Sequence, residues 1–248
     1  MKADITINNT VYRTDLSKPL DISIPLCAGN NNVIAWYAPP LTIEPVRMGD
    51  WIGEVAQGAS VNFKTVTVNP HAHGTHTECV GHITKEFISL NKTLTQFFFL
   101  AELVTVQPTD VNGDHVIMKE QLQQMVKHNH VEALIIRTLP NLENKLIMHY
   151  SNTNPVYLHH EAAKWMVEKG VKHLLIDLPS VDKEKDEGKL QSHHAFWNTA
   201  GETRHHATIT ELVYVKDSIS DGLYLLNLQI TSLENDASPS KPLLFSFE

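Results

Sequence analysis

The sequence predicts a mixed α/β domain with both parallel and antiparallel strands. Three observations carry that expectation. The middle of the chain alternates short apolar runs with segments of helical spacing. The last third alternates apolar and polar residues with a period of two. A chain of 248 residues with 42% hydrophobic content is long enough for one large core, and no repeat or low-complexity linker divides it. A single domain over 1–248 is therefore expected.

Taken in order, residues 30–50 hold Asn30-Asn31-Asn32, Pro39-Pro40 and Pro45 and read as a loop, with Trp36 and Tyr37 inside it. Residues 61–68 mix apolar and β-prone side chains and stop at Asn69-Pro70, a strand ended by a breaker. Residues 103–106 are strand-like. Leu122, Met125 and Val126 give helical spacing after Lys119-Glu120. Residues 133–136 form a continuous apolar run of buried-strand type, and 160–169 form a helix closed by Gly170, a residue suited to the left-handed position after a helix. Residues 173–178 make the next strand. Strand–helix–strand–helix–strand implies right-handed crossovers and a parallel core. Towards the C-terminus, Ala207, Ile209, Glu211, Val213 and Val215 would share one face of an alternating strand. Residues 222–230 follow after Asp221-Gly222, so an antiparallel pair is expected there.

Composition excludes several function classes. The formal net charge is −8 and there is no Lys/Arg run, so a nucleic-acid partner is not expected. No stretch approaches the roughly 18 apolar residues of a membrane span, and the first residues lack the apolar core of an export signal. Cys27 and Cys79 are the only cysteines, which is no disulfide framework. A cytoplasmic protein is expected.

The richest stretch is NPHAHGTHTECVGH, residues 69–82. It holds His71, His73, His76 and His82 together with Glu78 and Cys79. Neutral imidazole is a common ligand for divalent metals, and carboxylate completes such sites. In an extended chain, His71 and His73 share one phase and His76, Glu78 and His82 share the other. A turn or bulge at Gly74 would bring both sets to one side. Glu211 stands out on an otherwise apolar strand face, because a buried carboxylate is costly unless it is paired or bound to a cation. His193-His194 precede Phe196-Trp197, while Asp177 and Asp182 flank Pro179-Ser180 at a strand's carboxyl end, where α/β sheets place ligands.

The run Gly74-Thr75-His76-Thr77-Glu78-Cys79-Val80-Gly81-His82 resembles the signature of the metal-dependent cyclase family, H-x-G-T-H-x-D-x-P-x-H. Gly74, Thr75, His76 and His82 match at the right spacing. Ala72 stands at the first motif histidine, Glu78 at the aspartate and Val80 at the proline. Asp15-Leu16-Ser17-Lys18-Pro19-Leu20 looks like the family's opening strand, and Asp177 to Asp182 like its segment before the second ligand region. His193 looks like its later histidine and Ile209-Thr210-Glu211-Leu212 like its glutamate strand.

The resemblance implies a compact swivelling β/β/α domain, working as a homodimer, with a divalent metal, zinc or manganese. It implies metal ligands at His76, Glu78, His193 and Glu211, with His194 as a rival to His193. The missing motif histidine would be replaced by His73, which adjoins Gly74, or else by His71. His82 would be the general base. The implied activity is hydrolysis of a C–N amide bond in a small molecule, an aryl formamide or small cyclic amide. Trp36 and Tyr37, with Trp197, are aromatics suited to stack on an aromatic substrate. Two other readings use the same residues: a lyase or dehydratase on the same metal, and a non-catalytic metal-binding protein. An open coordination position facing a pocket separates catalytic from structural sites.

Overall fold

The parallel core expected from the middle of the chain is present, and the sheet that contains it is closed. The computed structural model describes residues 1–248. Seven strands form the closed sheet: β1 (His76–Cys79), β2 (Phe98–Val106), β3 (Ala133–Thr138), β4 (His173–Ile176), β5 (Thr208–Glu211), β6 (Gly222–Ile230) and β7 (Ala237–Ser246). Their order is β6-β2-β3-β4-β5-β1-β7, and β7 returns to pair with β6. The pairs β2–β3, β3–β4 and β4–β5 are parallel. The other four are antiparallel. Closure into a barrel leaves none of the seven as a free edge.

The helices that bear on the core and the site are α1 (Pro70–His73), α2 (Lys119–Met125), α3 (His160–Glu168) and α4 (Gln191–Trp197). Alternate residues of the parallel strands divide between two cores. Val104, Leu134, Ile136, Leu174 and Ile176 pack with Leu122, Ala162, Met166 and Phe196 of the helices. Leu103, Ala133, Ile135 and Leu175 face the other way, with Leu226, Leu228 and Leu244. Burial on both faces is why these strands read as continuous apolar runs. The helix at 160–169 ends as expected, with Gly170 at φ 81°.

The C-terminal expectations need correction. Residues 207–215 are not one alternating face. Leu212 takes a left-handed conformation, φ 54°, which ends β5 and flips the phase. Ala207 and Ile209 therefore lie in the helix-side core, while Val213 and Val215 lie in the inner one. Nor do β5 and β6 form an antiparallel pair. Asp221 accepts hydrogen bonds from the Thr105 amide (2.8 Å) and from Thr105 Oγ1 (2.6 Å). That ties the start of β6 to β2 rather than to β5. Alternation had not pointed to β7, which closes the barrel. The strand expected at 61–68 is shorter, Lys64–Thr67. It pairs with Thr42–Pro45, which falls inside the expected loop.

Candidate metal centre

Two strands and a reversal of the chain build the centre. On β1, Cys79 faces the inner core, so His76 and Glu78 project to the helix side. On β5, Ile209 and Glu211 share that side. The register sets Glu211 opposite His76 and Ile209 opposite Glu78. From the other flank, Ala237 of β7 pairs with Glu78, so Asp236 enters beside it. The motif's Thr75 locks this junction. Its hydroxyl accepts from the Ile24 amide (2.8 Å) and donates to the carbonyl of the left-handed Leu212 (2.5 Å).

The run preceding β1 is helical, and this decides the histidines. Asn69 caps α1 by accepting from the His71 amide (3.0 Å), and Pro70 occupies the first turn. In a helix, residues two apart are about 200° apart around the axis, so His71 and His73 diverge. His71 reaches the cluster, with Nδ1 3.1 Å from Glu78 Oε2. His73 does not. Its Nδ1 accepts from the Asn69 amide (2.9 Å) and its Nε2 lies 2.7 Å from the Pro39 carbonyl. Of the two histidines flanking Ala72, the structure thus brings His71 into the cluster and not the expected His73, the extended phase having been replaced by a helical turn.

On α4 the outcome is also clear. His193 is buried and sends Nε2 to within 3.2 Å of Glu78 Oε1 and 4.0 Å of Glu211 Oε1. Its Nδ1 lies 2.6 Å from Asp182 Oδ2. His194, one residue on, is exposed and bonded to Thr199. Asp182 also accepts the Ser192 and His193 amides (2.7 and 3.1 Å). Asp177 points elsewhere and accepts from Lys145 and Thr138. His82 follows β1 on a single turn, with Nε2 3.8 Å from Glu78 Oε2. Asp236, to which no motif pointed, lies 3.0 Å from His71 Nε2 and 3.5 Å from His82 Nδ1.

The donor set fits a divalent cation. His76 Nε2 is buried without a hydrogen-bond partner, and Glu78 Oε2 meets only the rings of His71 and His82, at 3.1 and 3.8 Å; such atoms are costly unless something fills the space between them. Glu211 Oε2 is 3.4 Å from His76 Nε2. Histidine and carboxylate groups from five segments thus converge, and three sets of three place a ligand atom from each residue within 4.8 Å of the others. His71, His82 and Asp236 are partly exposed, and they form the rim open to solvent.

Charge is concentrated here. Burial by itself would depress His71, but hydrogen bonding to Asp236 and Glu78 outweighs it and pushes the imidazole up to about 10. For His193 burial is likewise opposed, by Asp182 and Glu78, and the ring again rises to about 10. Burial disfavours the Glu78 carboxylate, yet the surrounding histidines hold it well below the usual range. Imidazoles and carboxylates thus favour one another's charged forms across the cluster.

The aromatic expectations fare differently. Trp197 is fully buried and donates to the Ala207 carbonyl (3.0 Å). It packs on His193, 5.5 Å between centroids, and so cannot receive a substrate. Trp36 and Tyr37 are exposed, both with positive φ, 56°. Tyr37 Oη bonds Glu184 (2.9 Å) and Asn152 (3.1 Å). Trp36 lines a small crevice with Tyr150, Pro155 and Pro179.

A closed mixed α/β barrel carrying an imidazole–carboxylate cluster on its helix side defines a barrel protein with a candidate metal centre. The chain belongs to the cyclase family, whose model matches residues 14–183. It is 28% identical over 230 residues to a kynurenine formamidase of Bacillus cereus, covering 92% of this chain and 97% of that one. The figure is also 28%, over 233 residues, for the kynurenine formamidase of Bacillus anthracis, with the same coverage. Among solved structures, an isatin hydrolase bound to the product analogue thioisatinate superposes with TM-score 0.66 at 13% identity, covering 93% of each chain. A predicted metal-dependent hydrolase from Bacillus stearothermophilus gives 0.63 at 18%, covering 92% of this chain and 98% of that one. These likenesses extend the shared fold across nearly the whole chain.

Proposed function

We propose that the protein is a metal-dependent hydrolase of small-molecule amides, cleaving the C–N bond of an aryl formamide or a small cyclic amide. The observation that carries this reading is the convergence of His71, His76, Glu78, His193 and Glu211 beside the partly exposed His82. Similarity to kynurenine formamidases over 92% of the chain supports the substrate class.

In this reading His71, His76, Glu78, His193 and Glu211 hold zinc or manganese. The cation, when bound, supplies Lewis acidity towards water and the amide carbonyl. Asp182 fixes His193 through Nδ1 (2.6 Å) and the Gly74 carbonyl fixes His76 through Nδ1 (2.9 Å), so both rings direct Nε2 inward. His82 Nε2 takes the proton of the attacking water and returns it to the leaving nitrogen. The scissile C–N bond breaks to give an amine and a carboxylate. Trp36 and Tyr37 bind the aromatic part of the substrate.

The protein works in the cytoplasm as a homodimer. Support for association comes from the arm at 42–67, where Ile43 and Val66 are register partners. Both are exposed, as are Val61 and Phe63, and such apolar clusters favour burial against a partner. No helix is long and apolar enough to cross a membrane.

The test is metal analysis of purified protein followed by assays with N-formyl anilides and lactams, in metal-loaded and chelated samples. Metal-dependent release of amine supports the proposal. A tightly metallated protein inactive on all these amides refutes it.

A further inference from the structure

His71 is reversed relative to the other inner rings. His76 and His193 turn Nε2 inward and Nδ1 outward to a partner. His71 turns Nδ1 inward, 3.1 Å from Glu78 Oε2, and Nε2 outward, 3.0 Å from Asp236 Oδ2. The same Asp236 oxygen lies 3.5 Å from His82 Nδ1, whose Nε2 faces Glu78. The His71 and His82 rings stack 4.3 Å apart, with 29° between planes, so one carboxylate oxygen serves the outer edge of both.

We propose that Asp236 is the positioning residue of this centre, fixing the tautomer and orientation of His71 and His82 together. The inference rests on the metal-centre reading above. A ring nitrogen can donate its lone pair to a cation, or take a proton from water, only if its hydrogen sits on the other nitrogen. Asp236 accepts that hydrogen from His71 Nε2 and attracts the one on His82 Nδ1. Lone pairs are thereby left on His71 Nδ1 and His82 Nε2, the atoms that face Glu78.

The backbone keeps Asp236 in place. Its carbonyl accepts the Cys79 amide (3.0 Å), and the next residue, Ala237, is the register partner of Glu78. The strand contact that places Glu78 therefore also places Asp236. This explains how the chain works with Ala72 at the motif's first histidine. His71 enters from one residue earlier with its ring reversed, and Asp236 is the partner that this orientation requires.

The experiment uses the full chain stripped of metal, with Co²⁺ as probe, read by its visible absorption in D236A, D236N and the unmutated protein. Removal of a partner that orients a metal-binding histidine should weaken Co²⁺ binding about 10- to 100-fold, so D236A is expected to show that loss. D236N keeps an acceptor oxygen and should recover most of the affinity with an unchanged Co²⁺ spectrum. Long-range ¹H–¹⁵N spectra of the zinc-loaded unmutated protein should show His71 protonated at Nε2. D236A binding within twofold of the unmutated protein overturns the proposal. So does a D236N loss equal to that of D236A with an altered spectrum, since Asp236 would then be a ligand itself. Failure of the unmutated protein to bind any Co²⁺ overturns both this inference and the metal-centre reading.

Discussion

His76 and Glu211 are register partners on the antiparallel pair β1–β5, and His76 Nε2 lies 3.4 Å from Glu211 Oε2. Glu211 Oε1 meanwhile accepts the Val181 amide at 2.9 Å, so the carboxylate is held from behind and aimed at the histidine. Glu211→Gln keeps the shape and an acceptor for Val181 but removes the charge. We expect at least about tenfold weaker metal binding, as loss of a charged ligand should give, with an unchanged circular-dichroism spectrum. Metal titration by calorimetry checks this, and undiminished affinity would remove Glu211 from the ligand set.

His71 and His73 should separate cleanly. His71→Ala is expected to lower metal affinity by about tenfold or more. His73→Ala should leave metal stoichiometry intact but destabilise the fold, because the Asn69 amide and the Pro39 carbonyl lose their partner. A stranded buried group costs about 1–3 kcal/mol. Urea unfolding alongside metal analysis distinguishes the two variants, and metal loss in His73→Ala alone would reverse the assignment.

Gly81 is constrained by packing. A Cβ there would press into the Ile88 carbonyl far inside van der Waals contact, and a backbone atom cannot swing aside. Gly81→Ala should cost about 1–3 kcal/mol of stability, as overpacking does, and displace the adjacent His82. Amide hydrolysis should then fall by a larger factor than metal affinity. Equal falls in both, measured on the same preparation, would speak against a separate role for His82.

His173 supplies a pH dependence remote from the centre. It is buried beneath Phe99, 4.0 Å between centroids, with Nδ1 2.9 Å from Thr208 Oγ1. Burial, with lesser contributions from Lys172, His206 and Arg204, pulls it down to about 3. The unfolded chain therefore binds this proton between about pH 6.5 and 3 while the folded chain does not. Its contribution to stability is complete above 6.5 and is lost as pH falls towards 3, by at most about 1.4 kcal/mol per pH unit. His173→Gln should flatten the stability profile in that window. Denaturant unfolding from pH 7 to 4 tests it, and parallel profiles for the two proteins would contradict the assignment.

The sequence by itself determined the chemistry and the order of the parallel core. A cluster of imidazoles around Glu78, a carboxylate stranded at Glu211, and apolar runs alternating with helical spacing are all local patterns. What only the tertiary structure decided was which members meet. The Asn69 cap and Pro70 turn 70–73 into helix, where rotation of about 100° per residue separates His71 from His73. On α4 the same rotation separates His193 from His194. Leu212, held left-handed beside Thr75, breaks an alternation that looked continuous from 207 to 215. Asp236 lies 165 residues from His71 in the chain. Only closure of the barrel through β7 brings it alongside Glu78, and a pairing over that distance leaves no periodic trace in either segment.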